Sequence, residues 1–351
     1  MKRGDPILFL LRHRITGVLG VLFILSFFIA GCGPLETAQD TEVPAAVHMG
    51  NEILLWGPEI KQEALNMIGH SKTFCHVTMY ELGDPDILQA LANAQQRGVD
   101  VKVILDAKEP HSAGTAVPYL RQHGINVRLL QIPGGISHIK SVVTIDSSGM
   151  HALLGGMNFG EYSWQNHDAS VYFAHAGTGF EGLFEEDYAR AGGMPEPFVR
   201  FPSPLLYDNE IEPAMLQAIN RAQQSIVIEA FAFTSKDLIS ALEAAKARGV
   251  AVKVLLDARQ YYNKKTAKSL QNGGIDVRFY MPYQGEYLHA KIICIDHGQE
   301  LFIGSANFSY HGFSVNHEGD VELLHAILFA TSIEQDATRQ FERGTDLGST
   351  T

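Results

Sequence analysis

Apolar positions follow two alternating rhythms along most of the chain. Val99, Val101, Val103 and Leu105 alternate with Asp100, Lys102 and Ile104, a period of two that predicts a strand with one well-buried face. Just upstream, Ile87, Leu88, Leu91 and Ala94 recur at helical spacing. Asp84-Pro85 supplies an N-cap and a first-turn proline, and Gly98 a stop. The rhythm returns as Leu238, Ile239, Leu242 and Ala245 before Gly249. The two passages are copies. Residues 97–106 (RGVDVKVILD) match 248–257 (RGVAVKVLLD) at an offset of 151, and Gly124–Arg128 match Gly274–Arg278 at an offset of 150. An internal repeat that keeps its register over several elements predicts two homologous α/β lobes, each a mixed sheet flanked by helices. The boundaries read as 51–194 and 195–345 with a tail at 346–351, and the Pro/Gly-rich stretch 190–204 joins the copies.

The amino terminus follows a different pattern. Lys2, Arg3, Arg12 and Arg14 precede an apolar run from Ile15 to Ala30, the charged head and short hydrophobic stretch of an export signal, too short for a comfortable span. Small residues then lead into Cys32, which resembles a bacterial lipoprotein box. That predicts a signal peptide at 1–31, lipidation of Cys32, a tether over 32–50 and a membrane-anchored protein in the cell envelope. A plain signal peptide or an uncleaved anchor are the alternatives. Cys75 and Cys294 sit in β-branched apolar surroundings and read as buried small hydrophobes.

Composition narrows the classes. A chain of 351 residues, 46% hydrophobic and 19% charged with three cysteines, is neither disordered nor disulfide-scaffolded. Its net charge is −12, and removing residues 1–31 would leave 23 Lys/Arg against 38 Asp/Glu, a balance of −15. Such a field repels polyanions and disfavours nucleic acid as a partner.

The chemistry falls at equivalent points of both copies. The first carries His138, Lys140, Asp146, Gly155, Gly156, Asn158 and then Asn166-His167-Asp168; the second carries His289, Lys291, Asp296, Gly304, Ser305, Asn307 and then Asn316-His317-Glu318. His and Lys two apart on a strand face the same way. A phosphodiester under attack develops charge on its equatorial oxygens, which two Lys and two Asn are suited to hold, so charge neutralisation requires no metal or other cofactor. Two histidines then supply a nucleophile and a leaving-group acid, which calls for environments that split their pKa values. Asp168 lies 30 residues after His138 and Glu318 lies 29 after His289, which predicts that each carboxylate orients the histidine of its own copy. Gly155 and Gly304 suit a turn or close backbone approach to phosphate. Gly156 stands where the second copy has Ser305, whose hydroxyl is expected to be a donor to substrate among the catalytic residues. His76, His111 and His325 read as ordinary.

This constellation resembles the phospholipase D superfamily, whose signature is H-x-K-x4-D followed by G-[SG]-x-N in each lobe. The second copy fits in full. In the first, five residues separate Lys140 from Asp146, which predicts a bulge or a different partner for Asp146. Asp296 is expected on the opposite strand face, serving structure. The resemblance implies a metal-independent phosphodiesterase or phosphatidyltransferase working through a phosphohistidine, with one active site between the lobes of a monomer and His138 as nucleophile. Phospholipid headgroup cleavage or exchange leads, because a lipid anchor concentrates bilayer substrate. Residues 281–288 read as an aromatic interfacial loop or as a packed active-site loop. The alternatives are a cardiolipin synthase-like transferase, an exported nuclease using Arg259, Lys264, Lys265 and Lys268 beside Tyr261 and Tyr262, and a non-enzymatic binder of a phosphorylated partner.

Overall fold

The computed structural model describes residues 44–194 and 204–346, and Thr41–Thr351 forms one compact unit. The predicted signal peptide, Cys32 and most of the joining stretch lie outside the described residues. The first lobe runs β1 Val47–Met49, β2 Glu52–Trp56, α1 Pro58–His70, β3 Phe74–Met79, α2 Pro85–Gln96, β4 Asp100–Asp106, α3 Pro110–Gly114, α4 Ala116–Gln122, β5 Asn126–Leu130, β6 Ser141–Ile145, β7 Met150–Gly155, β8 Ala169–Phe173 and α5 Thr178–Ala191. The second runs β9 Leu205–Tyr207, α6 Ile211–Arg221, β10 Ser225–Ala230, α7 Lys236–Ala247, β11 Ala251–Leu256, α8 Asn263–Asn272, β12 Asp276–Phe279, β13 Lys291–Ile295, β14 Glu300–Gly304, α9 Tyr310–Ser314, β15 Gly319–Leu324 and α10 Ile327–Arg343.

The cap predicted at Asp84 forms, and the second copy has a cap the sequence reading did not name. The Asp84 carboxylate accepts the N–H groups of Asp86 and Ile87 at the start of α2, and the Ser235 side chain accepts that of Leu238 at the start of α7. The sheet orders are β2-β8-β7-β6-β3-β4-β5 and β9-β15-β14-β13-β10-β11-β12, the same path in both lobes. In each, the first strand of the helix-linked trio pairs parallel with the second, and the second with the third, while the remaining pairs are antiparallel. The first sheet carries one extra edge strand. Val47–Met49 pairs with Glu52–Leu54, so the sheet begins inside the stretch expected to be a tether.

Helices α1, α2 and α4 cover the outer face of the first sheet, and α6, α7 and α8 that of the second. The inner faces share one core. Trp56, Ile139, Leu154 and Val171 pack in the same apolar cluster as Leu288, Ile292, Ile303, Val321 and Phe329. The lobes are therefore joined through buried apolar surface, at roughly 25 cal/mol per Å². Among the described residues no helix is long and apolar enough to cross a membrane.

Candidate active site

The carboxyl ends of β3, β4 and β7 and the amino ends of β6 and β8 meet at one edge of the first sheet, and the second sheet repeats this. Lys140 precedes β6 by one residue and Lys291 begins β13, so both histidines stand just outside the ladders. Isolated parallel bridges between lobes hold them there, Ser137 to His317 and Leu288 to His167. His138, Lys140, His289 and Lys291 are all buried, and Asp168 and Glu318 are wholly so.

The histidine–carboxylate pairing is exchanged relative to the sequence expectation. His138 Nδ1 lies 2.8 Å from Glu318 Oε2, and His289 Nδ1 lies 2.6 Å from Asp168 Oδ2. Each carboxylate thus takes the ring N–H of the other lobe's histidine. The cause is the bridge geometry: the segment ending in each carboxylate hydrogen-bonds to the backbone of the opposite lobe. His138 N donates to His317 O, and His289 N to His167 O. With Nδ1–H committed, Nε2 is the ring nitrogen left for chemistry.

Burial and neighbouring cations set the ionisation. His138 is held well below the usual histidine range by burial, then by Lys140 and Lys291, against the Ser305 carbonyl and Asp168. His289 is lowered to about 4 by burial and Lys291, with Asp168 opposing. The expected split is absent from the free site, where burial lowers both rings and leaves both neutral. Burial also lowers Lys140, to about 7, with Lys291 adding to the effect, and lowers Lys291. Two desolvated ammonium groups that oppose each other's charge form a site suited to an anion. Glu318 is pushed up to about 7 by burial.

The remaining predicted residues divide. Asn158 and Asn307 are half-buried, and the Oδ1 of each has no hydrogen-bond partner among the described residues; Asn158 Nδ2 donates to Glu81 at 3.3 Å. Ser305, expected at substrate, instead spends its hydroxyl on Glu318 Oε2 at 2.6 Å and accepts Gly319 N–H. Close phosphate approach at Gly155 and Gly304 is not what their geometry serves. A Cβ there would meet Ser170 Oγ at 2.2 Å and Asp320 Oδ1 at 2.0 Å, so both glycines make room for the neighbouring strand. A Cβ on Gly156 would meet Asp168 Oδ1 at 2.3 Å. No bulge interrupts β6; Asp146 falls in the following turn and accepts from Ser148 and His151. Asp296 accepts the N–H groups of Gln223, Gln224 and Ser225, away from the histidines.

Several site residues escaped the sequence reading although the repeat marks them. Tyr80 and Phe231, 151 apart, follow β3 and β10. Tyr80 meets the His138 ring edge-on at 5.0 Å with Lys140 Nζ above it at 5.4 Å, and Phe231 lies 4.7 Å from the His289 ring with Lys291 Nζ at 5.3 Å. Asp106 and Asp257, also 151 apart, accept the N–H of Ser137 and of Leu288 and so fix the approach to each histidine. Asp320, buried and raised to about 7 by that burial, accepts Ser305 N–H and Ala306 N–H.

A cleft of about 550 Å³ opens onto His289 and Asn158, walled by Glu81, His111, Tyr162, Phe231 and Tyr287. His111, expected to be ordinary, thus lines the mouth. The 281–288 loop is folded on itself by Glu286, which accepts the N–H groups of Tyr283 and Gln284, and its Tyr287 faces the cleft beneath the Arg259 guanidinium. Arg259 is thereby engaged in supporting the loop. Lys265 lines a separate groove with Lys236 and Tyr262, so the basic cluster does not form one track into the site. Cys75 and Cys294 are buried free thiols, each pushed up to about 12 by burial.

Several known proteins are similar to this chain. The family described as "Cardiolipin synthase, PLD-like domain" matches twice, over residues 64–184 and 215–344. A cardiolipin synthase of Clostridium perfringens (strain SM101 / Type A) is 24% identical over 326 residues, covering 78% of this chain and 67% of that protein. Cardiolipin synthase A of Edwardsiella ictaluri is 28% identical over 133 residues, covering 36% of this chain and 27% of that protein. Among solved structures, phosphatidylserine synthase of Haemophilus influenzae Rd KW20 superposes with a TM-score of 0.66 at 14% identity, covering 86% of this chain and 91% of its own. Polyphosphate kinase of Porphyromonas gingivalis does so with a TM-score of 0.62 at 20% identity, covering 83% and 47%. At these identities the structural likeness concerns the fold, whereas the family match spans both lobes: the chain belongs to the phospholipase D superfamily.

Proposed function

We propose that this protein transfers a phosphatidyl group: it takes the group from a phospholipid onto a histidine and passes it to an alcohol, as a cardiolipin synthase does, with water as a competing acceptor. The observation that carries the reading is the doubled histidine–carboxylate pair held in one buried cluster with two lysines. The kinship with cardiolipin synthases favours lipid as substrate and transfer over hydrolysis.

His138 Nε2 attacks phosphorus while the bond to the departing alcohol oxygen breaks. His289 gives that oxygen its proton. Lys140, Lys291, Asn158 and Asn307 hold the non-bridging oxygens, whose charge also draws His289 toward its protonated form. His289 suits the acid role because Asp168 supports its charge both as a neighbouring anion and as a hydrogen-bond acceptor, whereas the carboxyl paired with His138, Glu318, is itself raised to about 7 by burial and supports charge there less, leaving His138 neutral and nucleophilic. In the second half, His289 takes the proton of the incoming alcohol, which attacks phosphorus and frees His138. Lipidation of Cys32 would hold the monomeric enzyme at the bilayer. The test is the full chain on phosphatidylglycerol vesicles in EDTA. Cardiolipin and free glycerol are expected; phosphatidic acid alone would mean hydrolysis. No lipid turnover, with cleavage of DNA under the same conditions, would replace the lipid reading by a nuclease.

A further inference from the structure

His167 and His317 precede the two orienting carboxylates and contact neither catalytic ring in the hydrogen-bond network. Both are buried, His167 completely. Their backbones grip the opposite lobe. His317 N donates to Ile136 O and its carbonyl accepts His138 N–H at 2.8 Å; His167 N donates to Tyr287 O and its carbonyl accepts His289 N–H at 2.9 Å. Since the next residue in each case accepts the ring N–H, two consecutive residues hold one catalytic histidine by backbone and by ring.

Their side chains are locked into the opposite lobe as well. His317 Nε2 lies 2.8 Å from Asp187 on α5, while its Nδ1 lies 2.8 Å from Asp208 of its own lobe, which also accepts Glu318 N–H. His167 Nε2 lies 2.9 Å from Asp336 on α10 and 3.1 Å from Glu229 on β10. We infer that His167 and His317 are positioning residues, carboxylate-held clips through which α10 of the second lobe fixes His289 and α5 of the first fixes His138. Burial opposes the charge on each ring, but the paired carboxylates outweigh it and keep both protonated to about pH 10. Asn-His-Asp and Asn-His-Glu stand at equivalent places, and so do Asp187 and Asp336, 149 apart on the closing helices. The device is therefore built twice.

The inference rests on the proposed roles of His138 and His289, and the two clips predict different kinetic faults. Asp187→Asn and Asp336→Asn keep side-chain size and remove the anion. With phosphatidyl-p-nitrophenol, whose leaving group departs without a proton from His289, in a rapid-quench experiment, Asp187→Asn should slow formation of the phosphatidyl-enzyme about tenfold and leave its decay unchanged. Asp336→Asn should slow decay about tenfold, so that the adduct accumulates. Equal changes in both rates for both variants, or a lowered melting temperature with unchanged rates, would overturn the clips. A second readout needs no turnover. In ¹⁵N-histidine spectra of the full chain, Asp187→Asn should shift the ring nitrogens of His138 and spare His289, and Asp336→Asn the converse. Failure of wild-type protein to form any adduct contradicts the proposed function; unselective ring shifts contradict the clips.

Discussion

Replacing Asp168 by Asn removes a wholly buried carboxylate that lies 2.6 Å from His289 Nδ1 in the other lobe. In the resting site the ring is neutral, and a hydrogen bond to a charged acceptor is worth about 1.5–3 kcal/mol. During turnover the ring carries a proton, and leaving a buried charge without its partner costs about 3–5 kcal/mol. The barrier rises by the difference, about 1.5–3 kcal/mol, so at about 1.4 kcal/mol per decade kcat/KM should fall roughly 10- to 10²-fold, with the larger part in proton transfer. Because both variants of a pair impair activity, the assignment is best read from stability. Urea unfolding of Asp168→Asn, His289→Ala and their double variant should give a coupling of at least about 1 kcal/mol, while the cycle of Asp168→Asn with His138→Ala should be additive within about 0.5 kcal/mol. A coupling of Asp168 to His138 that equals or exceeds that to His289 would refute the exchanged pairing.

Three further outcomes follow from the same geometry. His167 and His317 are raised to about 10, so their stabilisation is complete below the ordinary histidine pKa and is lost as pH rises through 10; stability should fall by up to about 1.4 kcal/mol per pH unit for each ring, measured by melting between pH 7 and 10.5, and a flat profile would contradict buried imidazolium. Lys140 is lowered to about 7 by burial, so kcat/KM should decline on the alkaline side of pH 7 and approach tenfold per unit; Lys140→Arg, whose charge persists, should lose that limb. A side chain at Gly156 would meet Asp168 Oδ1 at 2.3 Å, so Gly156→Ser should cost about 1–3 kcal/mol of stability and reduce kcat, whereas a silent substitution would show that Asp168 is free to move.

Much of this was legible because repetition is a strong signal. An offset near 151 recurs in Asp106/Asp257 and His138/His289, and it foretold two sheets of one topology. Offsets cannot reveal which copy a contact comes from. Pairing His138 with Asp168 or with Glu318 respects the repeat equally well, and only the bridges Ser137–His317 and His167–Leu288 select the second. Tyr80 and Phe231 were invisible for another reason, since an aromatic at a strand end is ordinary until a lysine is found above it. Ser305 misled because a hydroxyl beside a motif asparagine looks like a substrate donor, and its commitment to Glu318 depends on a carboxylate 13 residues away. The edge strand Val47–Met49 is too short to carry a rhythm of its own.

The central claim is one site, made by two lobes, in which His138 carries the phosphatidyl group and His289 handles the proton. The most direct measurement quenches the wild-type chain and the His289→Ala variant in alkali during reaction with phosphatidylglycerol and maps the adduct by mass spectrometry. A phosphatidyl group on His138, formed more slowly in His289→Ala, is the predicted result. An adduct on His289, or turnover with no histidine adduct at all, would contradict the account.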